Sequence, residues 1–305
     1  MIYQRLLYVG RFGKDVRYMK DALVKLGYLA ASTHDRFGYS TKAAVLLFQE
    51  RGTDEDGLPL QIDGVIGKHT WYAIEAAAGL GDSTAALPQN SPQPSLSLPQ
   101  QLGDRAKVSL GAALSGITQK RRRLVQTALQ FAYDPACAAD YPQSLYIRGG
   151  NLFNTDLREN IITRDRILSG AARQPQYYDG GRKEMMLRAV ENNPLLTGAD
   201  CSGGVVGLLR KHALVAPGFD ATADTLCSDR YSDALSREAL LPGDFVGRSG
   251  HIGLYAGGGY AVEWMGGAYG CQLTALDARR GYDFVQHRMR SFSGWTKFRR
   301  PKWLA

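Results

Sequence analysis

Residues 79–113 read GLGDSTAALPQNSPQPSLSLPQQLGDRAKVSLGAA, and this stretch limits the fold more than any other. Proline, serine, glutamine and glycine dominate its first part. Such a composition cannot bury enough apolar surface to hold a core, and it extends as a tether. The chain of 305 residues is therefore expected to divide into a small unit at 1–78, a linker at 79–113 and a larger unit at 114–305. In the first unit Met19, Leu23 and Leu26 recur at helical spacing behind Gly13-Lys14-Asp15-Val16. A second helical pattern carries Ala44, Val45, Leu47 and Phe48, with Ser40 or Thr41 available as N-cap. After the turn Asp63-Gly64-Val65-Ile66-Gly67, a short third helix is expected from Thr70 through Trp71 and Ile74.

The larger unit opens with a helix near Thr118 bearing Leu124, Val125, Ala128 and Leu129, and Arg121-Arg122-Arg123 reads as its solvated face. The segment 151–199 is polar, with helical hints at 163–170 and 182–191. ADCSGGVVGLLRKHAL, residues 199–214, places Cys201 at the first turn of a helix whose apolar face carries Val206, Leu209 and Ala213. Gly203 and Gly204 let that turn lie close to a neighbour. A thiol at a helix N-terminus faces unpaired N–H groups and the positive end of the helix dipole, both of which favour the nucleophilic thiolate. A buried structural cysteine is the alternative reading. About fifty residues on, Leu241-Pro242-Gly243-Asp244-Phe245 reads as a turn into a strand. Gly250-His251-Ile252-Gly253-Leu254-Tyr255 is a second strand, and Tyr260-Ala261-Val262-Glu263 returns after a glycine-rich loop. If His251 and Glu263 share a sheet face, Cys201, His251 and Glu263 form a nucleophile, a base and a group that orients the base. Direct opposition of the pair requires Gly253 opposite Ala261 and Tyr255 opposite Gly259. A two-residue Gly257-Gly258 turn would instead put Glu263 opposite Ile252, on the other face.

DCSGG, LPGDF and GHIGLYAGGGY, in that order, together with Tyr146-Ile147-Arg148-Gly149-Gly150, resemble the NlpC-type cell-wall cysteine peptidases over roughly residues 115–275. The resemblance implies an α+β chain whose larger unit is papain-like, with a nucleophile helix packed on an antiparallel sheet. It implies Cys201 as nucleophile, His251 as general base and Glu263 as the third member. Tyr146, Asp200 and Ser202 would line the subsite for the start of a stem peptide. The family's third position is more often His, Asn or Gln, and the fifty residues between Gly150 and Cys201 exceed the spacing in many members. Asp200 has a second reading, as the cap of the nucleophile helix. The first unit, through GKDV, KLGYL, FGYSTKAAVLLFQ and DGVIGKHTW, resembles the three-helix peptidoglycan-binding module often attached to wall hydrolases.

These resemblances imply a peptidoglycan hydrolase that cuts a stem-peptide amide between D-glutamate and the diamino acid, without metal or cofactor. Two rivals stay open: an amidase cutting at the muramic acid lactyl group with the same three residues, and a wall-binding protein without catalysis. The net charge of +8 suits an anionic partner, and the scattered basic residues favour bacterial peptidoglycan over nucleic acid. Cys137, Cys201, Cys227 and Cys271 have neither CxxC spacing nor close pairing, so neither a zinc site nor a disulfide framework is expected. No stretch reads as a membrane span. The opening MIYQRLLYVGRFGKDV lacks the long apolar core of a signal peptide. Action on the wall outside the cytoplasm would then rest on phage lysis, a secretion apparatus or cell lysis for delivery.

Overall fold

A computed structural model describes residues 3–30, 34–54, 60–61, 63–80, 98–137 and 139–304, without the side chain of Tyr39. The chain separates into two compact units, Met1–Ser95 and Leu96–Ala305.

The N-terminal unit contains α1 (Lys14–Lys25), α2 (Tyr39–Gln49) and α3 (Lys68–Ala77). Val16, Met19, Leu23, Val45, Phe48, Ile66, Trp71 and Ile74 are its buried centre, at the positions the helical spacing marks. Helix α2 begins at Tyr39, earlier than expected, with Gly38 rather than Ser40 or Thr41 as N-cap and no side-chain cap. Thr41 lies inside the first turn and is buried, so its hydroxyl does not reach back as a cap. Helix α3 likewise begins at Lys68 rather than Thr70. The Asp63–Gly67 turn is held from within by Gln49. The Gln49 carboxamide donates to Asp63 Oδ1 at 3.0 Å, the Val65 carbonyl at 2.9 Å and Thr70 Oγ1 at 3.1 Å, and accepts from the Gly64 amide at 2.8 Å. A buried amide satisfied on both sides fixes a turn that apolar packing alone would leave loose.

The second unit starts earlier than the proline-rich composition suggested. Residues Asp104–Ser115 form a helix, α4, which buries Ala106, Leu110 and Leu114 in the main core of this unit. Their four-residue spacing is an apolar helical stripe, so the C-terminal part of the expected 79–113 linker belongs to the larger unit. The rest of that linker, 81–97, lies outside the described residues. Helix α5 (Gln119–Gln130) follows, capped by Thr118, and then β1 (Ser144–Tyr146), α6 (Arg164–Arg173), α7 (Arg182–Asn192), β2 (Thr197–Ala199), α8 (Cys201–Lys211) and the short α9 (Ala223–Leu226). The strands after them are β3 (Ser232–Ala234), β4 (Phe245–Arg248), β5 (His251–Gly257), β6 (Tyr260–Trp264), β7 (Cys271–Ala275), β8 (Arg280–Asp283), β9 (Arg288–Ser291) and β10 (Lys297–Pro301).

The main sheet has strand order β3-β10-β4-β5-β6-β7 and is antiparallel throughout. The C-terminal β10 enters between β3 and β4, so the tail completes the sheet. One face packs on α5 and α8 through Leu124, Val125, Val205, Leu209, Ile252, Leu254 and Trp264. The other carries Val246, Ala261 and Trp295. Gly203 and Gly204 are required by closeness. A Cβ on Gly203 would stand 1.9 Å from the Gly150 carbonyl oxygen, and one on Gly204 would stand 2.2 Å from the Trp264 ring. Ala213 falls outside α8, with φ of 51°.

One expectation is overturned at Arg121. Far from lying on a solvated helix face, Arg121 is 4% exposed. Its guanidinium donates to Asp244 Oδ1 at 2.8 Å, to the Pro242 carbonyl at 2.9 Å and to the Leu304 carbonyl at 2.7 Å. The position is three residues before the buried Leu124, on the side of α5 that faces the sheet. The segment 151–199 builds a satellite core of its own, in which Ile162, Ile167, Met185, Met186 and Leu196 pack with Leu145, Ile147 and Phe284.

Candidate active site

Cys201 is the first residue of α8, and Asp200 is its N-cap. Both carboxylate oxygens of Asp200 are engaged. Oδ1 accepts from the Gly203 amide at 2.8 Å and from Ser202 Oγ at 3.1 Å, and Oδ2 accepts from the Gly149 amide at 2.8 Å. Asp200 therefore ties the start of α8 to the Tyr146–Gly150 loop as well as capping the helix. Among the described residues the Cys201 and Ser202 amides have no acceptor, as the first turn of a helix dictates. The Cys201 side chain is 7% exposed, and its thiol lies 3.9 Å from the Gly250 carbonyl oxygen.

His251 opens β5 directly after Gly250. Its Nε2–H donates to Glu263 Oε2 at 2.7 Å, which leaves Nδ1 as the ring nitrogen available to Cys201. The imidazole stacks on Trp295, with ring centres 5.6 Å apart and planes 11° from parallel. The two side chains share a sheet face, as the triad requires, but not through direct opposition. Leu254 pairs with Val262 and Tyr255 with Ala261, and a bulge follows between Tyr255 and Gly257. This shifts the strands two residues from the register expected for opposed partners, so parity is kept and Glu263 reaches His251 diagonally. The diagonal runs over Gly253, where a Cβ would meet Glu263 Cβ at 3.2 Å and the Trp295 ring at 3.1 Å. The glycine leaves the gap through which the carboxylate meets the imidazole.

Glu263 is fully buried. Besides His251 it accepts from Arg279 Nη2 at 2.5 Å, from Arg279 Nε at 2.8 Å and from Thr274 Oγ1 at 2.6 Å. Burial raises the carboxyl pKa, but the hydrogen bonds and charges of Arg279 and His251 outweigh it, and the net effect is a lowered value. Arg279 is itself buried, its guanidinium 4.6 Å from the Trp295 ring centre. For His251, burial pulls the pKa down; hydrogen bonds with Cys201 and Glu263, and their negative charge, push it up, and the result is about 9. An imidazolium is thus favoured beside the thiol at neutral pH. Tyr146, partly buried at the end of β1, is raised to about 12 by desolvation and by the nearby Cys201 and Asp200.

The fold thus brings Cys201, His251 and Glu263 together, with Tyr146, Asp200 and Ser202 at the nucleophile's side. Arg279, Thr274, Trp295 and Gly253 belong to the same constellation and were not marked in the sequence. For Arg279 the signal available was indirect: a buried carboxylate calls for a cationic partner, and arginine suits a buried ion pair. Cys137, Cys201, Cys227 and Cys271 are all free thiols. Burial pushes Cys227 up to about 11 and Cys271 well above the ordinary thiol value. Among the described residues no cluster of three or more His, Cys, Asp or Glu side chains could hold a metal ion, and no helix is long and apolar enough to cross a membrane.

Comparison with known proteins bears on the other unit. No curated protein matches the chain. Residues 12–74 match the model of the family described as "Putative peptidoglycan binding domain". The match spans α1 through most of α3, including the turn held by Gln49. It supports an N-terminal peptidoglycan-binding domain, peptidoglycan as a partner, and a chain associated with the cell wall.

Proposed function

We propose that this protein is a peptidoglycan hydrolase, in which the N-terminal domain holds the wall and the C-terminal unit is a papain-like cysteine peptidase. The observation that carries the reading is the line from Cys201 through His251 to the buried Glu263, in which His251 and Glu263 lie 2.7 Å apart and Arg279 backs the carboxylate. In the reaction the Cys201 thiolate attacks the amide carbonyl, and the oxyanion is received by the Cys201 and Ser202 amides. The His251 imidazolium gives its proton to the leaving nitrogen as the C–N bond breaks, leaving a thioester and a neutral imidazole. That imidazole then takes a proton from water, the hydroxide attacks the thioester, and the acid product departs with the thiolate and imidazolium restored. Glu263 holds the ring with Nδ1 toward the sulfur, and Arg279 keeps Glu263 ionised.

The scissile bond is the amide between D-glutamate and the diamino acid, in stems still linked to glycan, since a wall-binding domain is of little use for detached peptides. Asp200, with both oxygens occupied, acts here by fixing α8 and the Tyr146 loop, while Tyr146 and Ser202 border the incoming stem. Mass spectrometry of purified peptidoglycan after digestion tests the reading. A new amino terminus on the diamino acid is expected. A new terminus on L-alanine would move the activity to the lactyl amide, and absence of new termini would leave a wall-binding protein without catalysis.

A further inference from the structure

Among the described residues, one cation at this site has no protein counter-charge. Arg148 is exposed, two residues after Tyr146 and directly before Gly149, whose amide is held by Asp200. Among the described residues no carboxylate or other hydrogen-bond acceptor engages its guanidinium. Its one partner is a ring: the guanidinium lies 4.6 Å from the centre of Tyr177. Stacking of this kind orients the flat guanidinium and leaves its N–H edge free for a planar anion.

Tyr177 comes from the long segment between Gly150 and Cys201, and its position is fixed. It ends a single 3-10 turn, Pro175–Tyr177. Arg182 ties this turn to the start of α7, donating to the Gln176 carbonyl at 2.9 Å and the Asp179 carbonyl at 2.7 Å. Gly267, in the loop after the Glu263 strand, lies against it. A Cβ there would come within 3.0 Å of Arg182 and 3.2 Å of the Tyr177 carbonyl oxygen. Desolvation, and after it the charges of Cys201 and Asp200, raise the Tyr146 hydroxyl to about 12, and Arg148 acts against them, so the Arg148 charge is within electrostatic reach of Tyr146. The other charges of the site are already spoken for. Both oxygens of Asp200 are bonded, and Glu263 is buried behind His251 and covered by Arg279.

We propose that Arg148, seated on Tyr177, is a specificity-determining residue that binds a free carboxylate on the substrate residue whose carbonyl is attacked, and that the 151–199 segment exists in part to carry this seat. The inference rests on the peptidase reading above. A stem joined through the side-chain carbonyl of D-glutamate presents such a group, because its α-carboxyl is not used in the chain. The enzyme then distinguishes stems with a free α-carboxylate from stems in which that group is a carboxamide. The carboxamide keeps the shape but loses the charge and one of the two acceptor oxygens.

The test uses two synthetic muramoyl tripeptides that differ only at that position, carboxylate or carboxamide, with the full-length protein. The wild type is expected to favour the carboxylate by roughly 10- to 100-fold in kcat/KM, the range for a charge-assisted hydrogen bond. Arg148→Gln should reduce that ratio to within about threefold of one, mainly through loss on the carboxylate peptide. Tyr177→Leu should leave an intermediate ratio, as the charge stays and its orientation is lost. Equal turnover of both peptides by the wild type, or a preference that persists in Arg148→Gln, overturns the role of Arg148 and leaves the peptidase reading standing. If the wild type cleaves neither peptide, and its Cys201→Ala variant binds neither in calorimetry, the peptidase reading falls and this inference with it.

Discussion

Two buried carboxylates in the C-terminal unit, Asp244 and Glu263, are both inaccessible to solvent and both meet two cationic side chains. Asp244 pairs with Arg121 at 2.8 Å and Arg300 at 3.0 Å and accepts the Leu241 amide at 2.9 Å. It locks helix α5, the turn before β4 and strand β10 to one another. Glu263 pairs with Arg279 at 2.5 Å and His251 at 2.7 Å. The difference lies in one partner. Arginine does not release its proton in this pH range, so the Asp244 cluster is a fixed lock. Histidine does release its proton, and His251 stands beside a thiol, so on the proposed peptidase reading the Glu263 cluster moves one. The same burial and nearly the same distances give a brace in one place and, on the proposed reading, an acid–base site in the other.

The comparison breaks if the two clusters respond alike to substitution. A large loss of stability without a kinetic one is expected at the brace. Arg121→Met leaves Asp244 buried with half its compensation, and stability should fall by about 3 kcal/mol, the lower end for a broken buried pair since Arg300 remains. Denaturant unfolding measures the loss, while any hydrolysis by the folded protein should change little. A kinetic loss is expected at Glu263, together with a stability loss because Arg279 is left buried without its carboxylate. Glu263→Gln retains an acceptor for the His251 N–H and should lower kcat on the order of 10-fold, and Glu263→Ala on the order of 100-fold. The pH profile separates the two clusters most clearly. His251 is raised from 6.5 to about 9 in the folded protein. The stability its pairing contributes is therefore full below about 6.5 and lost as pH rises through about 9, and the alkaline limb of activity should fall near pH 9. Glu263→Gln should move that limb toward lower pH, whereas Arg121→Met should leave it in place.

How far these features could be read from the chain follows the same division. The helix behind Cys201, the strands from His251 and Tyr260, and the three helices of the first unit were legible because local periodicity and glycine placement announce them. Contacts made across long sequence separations were not. Arg121 read as solvated because its neighbours Arg122 and Arg123 are also basic; only the approach of Asp244, over a hundred residues away, gives it a buried partner. Arg279 had no motif to mark it, and its role depends on Glu263 being fully inside. The shared face of His251 and Glu263 could be anticipated from side-chain alternation. The two-residue shift could not, because it comes from a bulge near the hairpin loop, where glycines at 257, 258 and 259 all take positive φ. The end of the linker is hidden in the sequence for a related reason. A proline-rich start set the tone of the whole stretch, while the stripe of Ala106, Leu110 and Leu114 belonged to the next core.

The central claim is that Cys201 is a nucleophile and that the wall is its substrate. The most direct measurement compares wild type and Cys201→Ala on purified sacculi, following release of new amino groups beside co-sedimentation with the same material. The account predicts steady amine release by the wild type and none by the variant, with both proteins sedimenting equally. Equal amine release by folded Cys201→Ala would contradict it.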